Sequence, residues 1–277
     1  MKYAYNTLVY AGESIEESIE RLARFGYDGV EFVGEPAQLN TKTIVAELAR
    51  HNIQASHICS IYTPERDLSS SNDQIRRNAV AYVKSVADFA ATIGAASMGV
   101  TPTANMRIHH EADVPQEWAW AVEGIREAGH YAANQSIRLT IEPWNRYETC
   151  LVTRVGQSRQ MVDEIDLDNV GCMGDTFHMN LEETDIAEAF RTAGDKLFYV
   201  HIADSNRAAP GRGHIDFRPI AQALRDVGYN SYLSMELLPA AADPFAVLTG
   251  SRQDEFFDQY TEESIAYLRR LFDDNHS

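Results

Sequence analysis

The stretch from residue 139 to 236 decides the fold: LTIE at 139–142, VGCMGD at 170–175, FYVH at 198–201 and YLSME at 232–236 are short apolar runs. Each ends on a residue able to hold a divalent cation, namely Glu142, Asp175, His201 and Glu236, at intervals of 33, 26 and 35 residues. One strand, its crossover helix and their loops take about 30 or more residues, so the four side chains occupy the same place in successive repeats. In a closed parallel barrel the C-terminal strand ends converge on one mouth. The pattern therefore predicts one pocket lined by three carboxylates and an imidazole.

Working outward, further β-rich runs fall at Tyr3 to Asn6, Gly29 to Val33, Gln54 to Cys59 and Ala96 to Val100, giving eight strand candidates with those above. Between them SIEESIERLARFG, TKTIVAELARHN, NDQIRRNAVAYVKSVADFAATIG and DFRPIAQALRDVG place apolar residues near i, i+3, i+4 and i+7, the spacing of amphipathic helices. Ser14 with Glu17 has the capping-box spacing, SSSN at Ser69 to Asn72 reads as a helix entry and Asp216 as a cap. Gly26, Gly94 and Gly228 stand where helices end. Alternating β and α elements imply a parallel sheet, closed or doubly wound. Eight units in 277 residues favour a (β/α)8 TIM barrel, and the TLVYAGES that follows the first strand lacks the GxGxxG of a dinucleotide fold. With no linker rich in Pro, Gly or Ser, residues 1–277 are expected to form a single domain.

Composition narrows the function. Hydrophobic residues make up 44% and charged residues 23%, ordinary globular usage. Lys and Arg number 24 against 41 Asp and Glu, a formal charge of -17 that disfavours nucleic acid as a partner, since phosphate binding rests on clustered basic groups. Cys59, Cys150 and Cys172 are odd in number and lack CxxC spacing, which fits free thiols in a reducing compartment. No apolar run approaches the length of a membrane span, and MKYAYNTLVYAG lacks a signal-peptide core, so a cytoplasmic protein is expected.

Three carboxylates and one neutral imidazole form a hard, oxygen-rich set suited to Mn²⁺ or Mg²⁺, with Co²⁺ also compatible, whereas structural zinc more often takes thiolates. We expect Mn²⁺. Three of the candidate ligands lead into polar segments, read as loops at the catalytic face: PWNRYET after Glu142 brings Arg146 and Glu148, TFHMNLEE after Asp175 brings His178, and IADSNRAAPGRGHIDF after His201 brings Arg207. Glu148, His178 and Arg207 around an ion could grip several hydroxyls; alternatively Arg146, Glu148 and Arg207 form surface ion pairs. Glu31 ends the second strand candidate and can orient His201, as metal-binding imidazoles usually require. His57 either packs in the core or, failing that, lines the pocket or acts as an extra base, Trp144 shapes the wall behind Glu142, and His109 and His110 read as surface residues.

The segments IEPWNRYET, GDTFHMNLEE, HIADSNRAAPGRGHIDF and LSMELL resemble the sugar isomerase and epimerase superfamily with a xylose isomerase-like TIM barrel, most closely the D-tagatose 3-epimerase and D-psicose (allulose) 3-epimerase group. The resemblance implies that Glu142, Asp175, His201 and Glu236 hold the metal, that Glu142 and Glu236 are also the acid/base pair, and that Glu148, His178 and Arg207 contact a small sugar. It implies a ketose 3-epimerase working through a metal-stabilised cis-enediolate, and a homo-oligomer, dimer or tetramer. The runner-up is a lyase with the same barrel and metal set: an inosose dehydratase, or the metal-binding subunit of a C-glycoside deglycosidase, which would carry a small second subunit. An endonuclease IV-type enzyme conflicts with the acidic charge, and a non-catalytic sugar binder with the retention of all four ligand types.

Overall fold

The computed structural model of the protein describes residues 1–238 and 254–273. Its centre is a closed barrel of eight parallel strands: β1 Lys2–Asn6, β2 Gly29–Gly34, β3 Gln54–Ser60, β4 Ser97–Val100, β5 Arg138–Ile141, β6 Val170–Asp175, β7 Leu197–Ile202 and β8 Tyr232–Met235. The last strand closes on the first, with Tyr3 opposite Leu233 and Tyr5 opposite Met235. Strands enclosed by helices outside and side chains inside are buried on both faces and read as continuous apolar runs. All six residues of β6 are buried. The strand expectations thus hold to within a residue or two at their ends. The expectation of one domain over 1–277 also spans residues 239–253 and 274–277, which lie outside the described residues.

The outer layer contains α1 Ile15–Phe25, α2 Thr41–His51, α3 Asp73–Ile93, α4 Val114–Asn134, α5 Val155–Ile165, α6 Thr176–Glu182, α7 Ile186–Ala193, α8 Phe217–Asp226 and α9 Asp254–Phe272. Side chains satisfy the free N–H groups at the helix starts: Ser14 and Glu17 form the capping box of α1, Asn72 caps α3 and Asp216 caps α8. Gly26 and Gly94 end α1 and α3 in the left-handed region, at φ 79° and 80°, which costs a residue without Cβ little. Helix α9 is tied to the chain start by Tyr10 against Phe257 and by Tyr27 Oη donating to the Thr261 carbonyl at 2.8 Å.

One segment departs from the sequence reading. TFHMNLE, expected as loop, is helix α6. The reason lies in Asp175, whose Oδ1 accepts the Phe177 N–H at 2.7 Å and so caps the helix from the last residue of β6. Capping occupies one carboxylate oxygen and leaves Oδ2 directed elsewhere.

Candidate metal centre and substrate pocket

The barrel ladder delivers four side chains to its C-terminal mouth. Asp175 ends β6 and pairs in register with His201 of β7. Glu142 and Glu236 lie one residue beyond β5 and β8, yet their backbone N–H groups still donate to Val100 O at 3.0 Å and Ile202 O at 3.2 Å. Their positions are therefore set by sheet geometry. All four are buried. His201 Nδ1 stands 3.4 Å from Glu142 Oε1, 3.5 Å from Glu236 Oε2 and 4.0 Å from Asp175 Oδ2. One ligand atom from each of the four lies within 4.8 Å of all the others.

These atoms fit a divalent cation on two grounds. Buried polar atoms are nearly always hydrogen-bonded, but Glu142 Oε1, Asp175 Oδ2 and His201 Nδ1 have no such partner. An octahedral ion with bonds of about 2.1 Å sets neighbouring ligand atoms about 3.0 Å apart and opposite ones about 4.2 Å apart, the range these distances occupy. Crowding three carboxylates otherwise costs free energy. Burial pushes the Asp175 carboxyl up to about 7 despite the nearby Arg207 charge. Burial also raises Glu142, partly offset by His201. For Glu236 burial is outweighed by His201 and Arg207, which hold its carboxyl well below the usual range.

Glu31, fully buried on β2, organises the layer beneath. It accepts from His201 Nε2 at 2.8 Å, Ser234 Oγ at 2.6 Å, Tyr199 Oη at 3.1 Å and Asn6 Nδ2 at 3.4 Å. The carboxylate holds the proton on Nε2 and turns Nδ1 toward the cluster, the orientation a metal ligand needs. Burial opposes a positive charge on His201, but Glu31 and Glu236 override it and raise its proton affinity well above the ordinary value. A cation arriving at Nδ1 thus displaces a proton. His57, in contrast, belongs to the floor: it is fully buried, stacks on Tyr199 at 3.9 Å and meets Ser97 Oγ through Nδ1 at 2.7 Å.

On the open side, Arg207 Nη2 donates to Glu236 Oε2 at 2.5 Å and lies 3.5 Å from Asp175 Oδ2, while its guanidinium covers the Phe177 ring at 4.6 Å. Its backbone adopts φ 59°, an uncommon conformation for a non-glycine residue. The surrounding loop is organised by buried Asp204, whose carboxylate accepts from the N–H groups of Ser205, Gly211 and Ile215 and whose carbonyl accepts from Arg207 N–H. His178, in the first turn of α6, places Nε2 3.8 Å from Asp175 Oδ2. Burial, then the Arg207 charge, keeps its imidazole neutral. Glu148 stands 4.0 Å from His178 Nδ1, and the Trp144 ring lies 6.3 Å from the His178 ring.

The structure therefore brings Glu142, Asp175, His201, Glu236, His178, Arg207, Glu148 and Trp144 to one mouth, with Glu31 and His57 beneath. Arg146 goes elsewhere, into a two-bond pair with Glu182 at the rim, its side chain 60% exposed. His109 and His110 are exposed as expected, although His110 Nδ1 reaches buried Glu117 at 2.8 Å. Sequence reasoning passed over Asn6, which donates to Glu236 Oε1 at 2.9 Å, and Asn145, which contacts both His178 and Glu148. Asn6 does end the first strand, the same position by which the four ligand candidates were recognised.

Architecture and mouth together define a (β/α)8 barrel with a cluster of groups able to hold a cation at the C-terminal ends of its strands. The chain belongs to the xylose isomerase-like TIM barrel family, whose model matches residues 19–271. It is 31% identical over 223 residues to the D-psicose 3-epimerase of Ruminiclostridium cellulolyticum, covering 79% of this chain and 76% of that protein. It is 27% identical over 276 residues to the L-ribulose 3-epimerase of Mesorhizobium japonicum, covering 98% and 88%. The crystal structure of D-psicose 3-epimerase with D-tagatose from Clostridium cellulolyticum H10 superposes with a TM-score of 0.88 at 26% identity, covering 98% of this chain and 99% of that one.

Proposed function

We propose that this protein is a divalent-metal-dependent ketose 3-epimerase, with Glu142, Asp175, His201 and Glu236 as the metal ligands and Glu142 and Glu236 as the acid/base pair. The observation that carries the reading is the convergence of unpartnered Glu142 Oε1, Asp175 Oδ2 and His201 Nδ1 with a second glutamate, Glu236, from the end of another strand. Similarity to ketose 3-epimerases over most of the chain supports it. A bound cation, Mn²⁺ by the mixture of three carboxylates with one imidazole, with Mg²⁺ and Co²⁺ as alternatives, would supply Lewis-acid stabilisation of the negative charge that develops on substrate oxygen.

The protein's own groups do the rest. Inverting a carbon beside a ketone removes its proton on one face and returns one to the other, which requires two bases. Glu142, just past β5, and Glu236, just past β8, approach from the ends of different strands, and each carboxylate either accepts or returns the proton. Arg207 and His178 offer N–H donors toward the oxygen that gains charge, and Glu148 accepts from a hydroxyl. Glu31 holds His201 in place. A reducing, cytoplasmic setting fits the three free thiols, and the small-sugar substrate and homo-oligomer rest on the resemblance alone.

Incubating the Mn²⁺-loaded protein with D-fructose, D-tagatose and D-psicose, with products read by NMR, tests the reading. Interconversion of C3 epimers is expected. A dehydrated product from an inosose, or cleavage of an oxo-glycoside with no ketose turnover, would replace the epimerase with the lyase.

A further inference from the structure

We propose that Asn145 is a positioning residue that locks His178 in the tautomer carrying its proton on Nε2, so that His178 serves as a hydrogen-bond donor to substrate oxygen and not as a base. The functional half of this inference rests on the proposed epimerase site; the tautomer itself does not.

Asn145 is buried in the segment between β5 and α5. Its Oδ1 accepts the Tyr147 N–H at 2.9 Å, which identifies the oxygen end of the amide, because a backbone N–H can only donate. The NH₂ end then faces two groups: Glu148 Oε1 at 2.8 Å and His178 Nδ1 at 2.8 Å. The Asn145 backbone N–H also donates to His178 Nδ1, at 3.2 Å. Nδ1 therefore meets donors from both the side chain and the main chain of one residue. A neutral imidazole carries one donor and one acceptor nitrogen. With Nδ1 bound as acceptor, the proton resides on Nε2, which lies 3.8 Å from Asp175 Oδ2, the oxygen that Arg207 Nη2 also approaches at 3.5 Å.

Two consequences follow for the reaction. Neutral Nε2–H has no lone pair with which to take the substrate proton, so proton transfer falls to the two glutamates. The same amide holds Glu148, so one side chain sets both a donor and an acceptor toward the sugar.

The test reads nitrogen chemistry directly. In ¹⁵N-histidine-labelled, Mg²⁺-loaded protein, two-bond proton–nitrogen correlations distinguish the tautomers, and the His178 signals are those lost in His178→Gln. An Nε2–H pattern with unprotonated Nδ1 is expected; an Nδ1–H or doubly protonated ring would overturn the inference. Asn145→Asp keeps the shape but turns the donor into an acceptor, and is expected to shift His178 toward Nδ1–H while turnover falls about 10- to 100-fold, the scale of a lost orienting contact. Asn145→Ala retains the backbone donor, and is expected to keep the Nε2–H pattern with about a tenfold loss of turnover. Asn145→Asp with wild-type spectrum and turnover would refute the assignment. Should no ketose react while the spectrum shows Nε2–H, the epimerase reading fails and the tautomer assignment stands.

Discussion

Replacing Glu31 by Gln tests whether metal affinity is built one layer below the proposed metal ligands. Glu31 accepts from four groups, His201, Ser234, Tyr199 and Asn6, and an ionised carboxylate has about four lone-pair sites for them. The amide of Gln offers one oxygen and adds two N–H donors, so at least one existing donor must face another donor. Leaving a buried donor unmet costs about 1–3 kcal/mol. In a barrel of this size, about 2–4 °C of Tm is lost per kcal/mol, so differential scanning calorimetry should find Tm lowered by about 2–12 °C. The ligand face suffers too, because His201 loses the charge that fixes its Nε2–H and directs Nδ1. Partners of this kind change metal affinity by about 10- to 100-fold, or about 1.4–2.7 kcal/mol. Isothermal titration of Mn²⁺ into apoprotein measures it. If Glu31→Gln binds Mn²⁺ as tightly as wild type, His201 is not held by Glu31 in the way described.

Glu236→Gln should lower turnover by at least about 10²-fold, the scale of a lost acid/base group, with the variant still folded by circular dichroism. Chelation should abolish turnover, Mn²⁺ should restore it, and rebinding in weak buffer should acidify the solution as His201 Nδ1 releases its proton. At the opposite end of the barrel, Gly171→Ala would set a Cβ 2.4 Å from Phe198 Cδ2 and 2.6 Å from the Lys196 carbonyl oxygen. Such overpacking costs about 1–3 kcal/mol, so Tm should fall while the Kd for Mn²⁺ stays unchanged. Glu117 gives a pH signature: burial raises its carboxyl, but hydrogen bonds from His110, Arg107 and the backbone outweigh burial and leave it depressed. A depressed carboxyl contributes stability that is complete above its unfolded value of about 4.3 and lost as pH falls through the folded one. The Tm advantage of wild type over Glu117→Gln should therefore be widest near neutrality and shrink below about pH 4.

The barrel was legible because its two periodicities are physical. Buried parallel strands such as VGCMGD must be apolar on both faces, and helices such as DFRPIAQALRDVG must be apolar on one. The four ligand candidates were legible because strand ends meet in space while remaining regularly spaced in sequence. Asn145 and Asn6 were not, since a buried amide is recognised by what it touches: Asn145 reaches His178 across 33 residues and Asn6 reaches Glu236 across 230. Helix α6 was misread as loop because its cap is Asp175, a residue already read as a candidate metal ligand; Oδ1 caps the helix while Oδ2 is left without a hydrogen-bond partner. Arg146 and Arg207 are each arginines in polar segments after a strand, yet one pairs at the exposed rim and the other, largely shielded, turns inward to pair with Glu236, a distinction that depends on the turn at Arg207 and its Asp204 anchor.

The central claim, proton transfer at the carbon beside a ketone between Glu142 and Glu236, is tested most directly by hydrogen exchange. Mn²⁺-loaded protein incubated with D-fructose, D-tagatose and D-psicose in D₂O should yield the C3 epimer of at least one of them with deuterium at C3. Unlabelled C3 in every recovered sugar, with Mn²⁺ demonstrably bound, would contradict it.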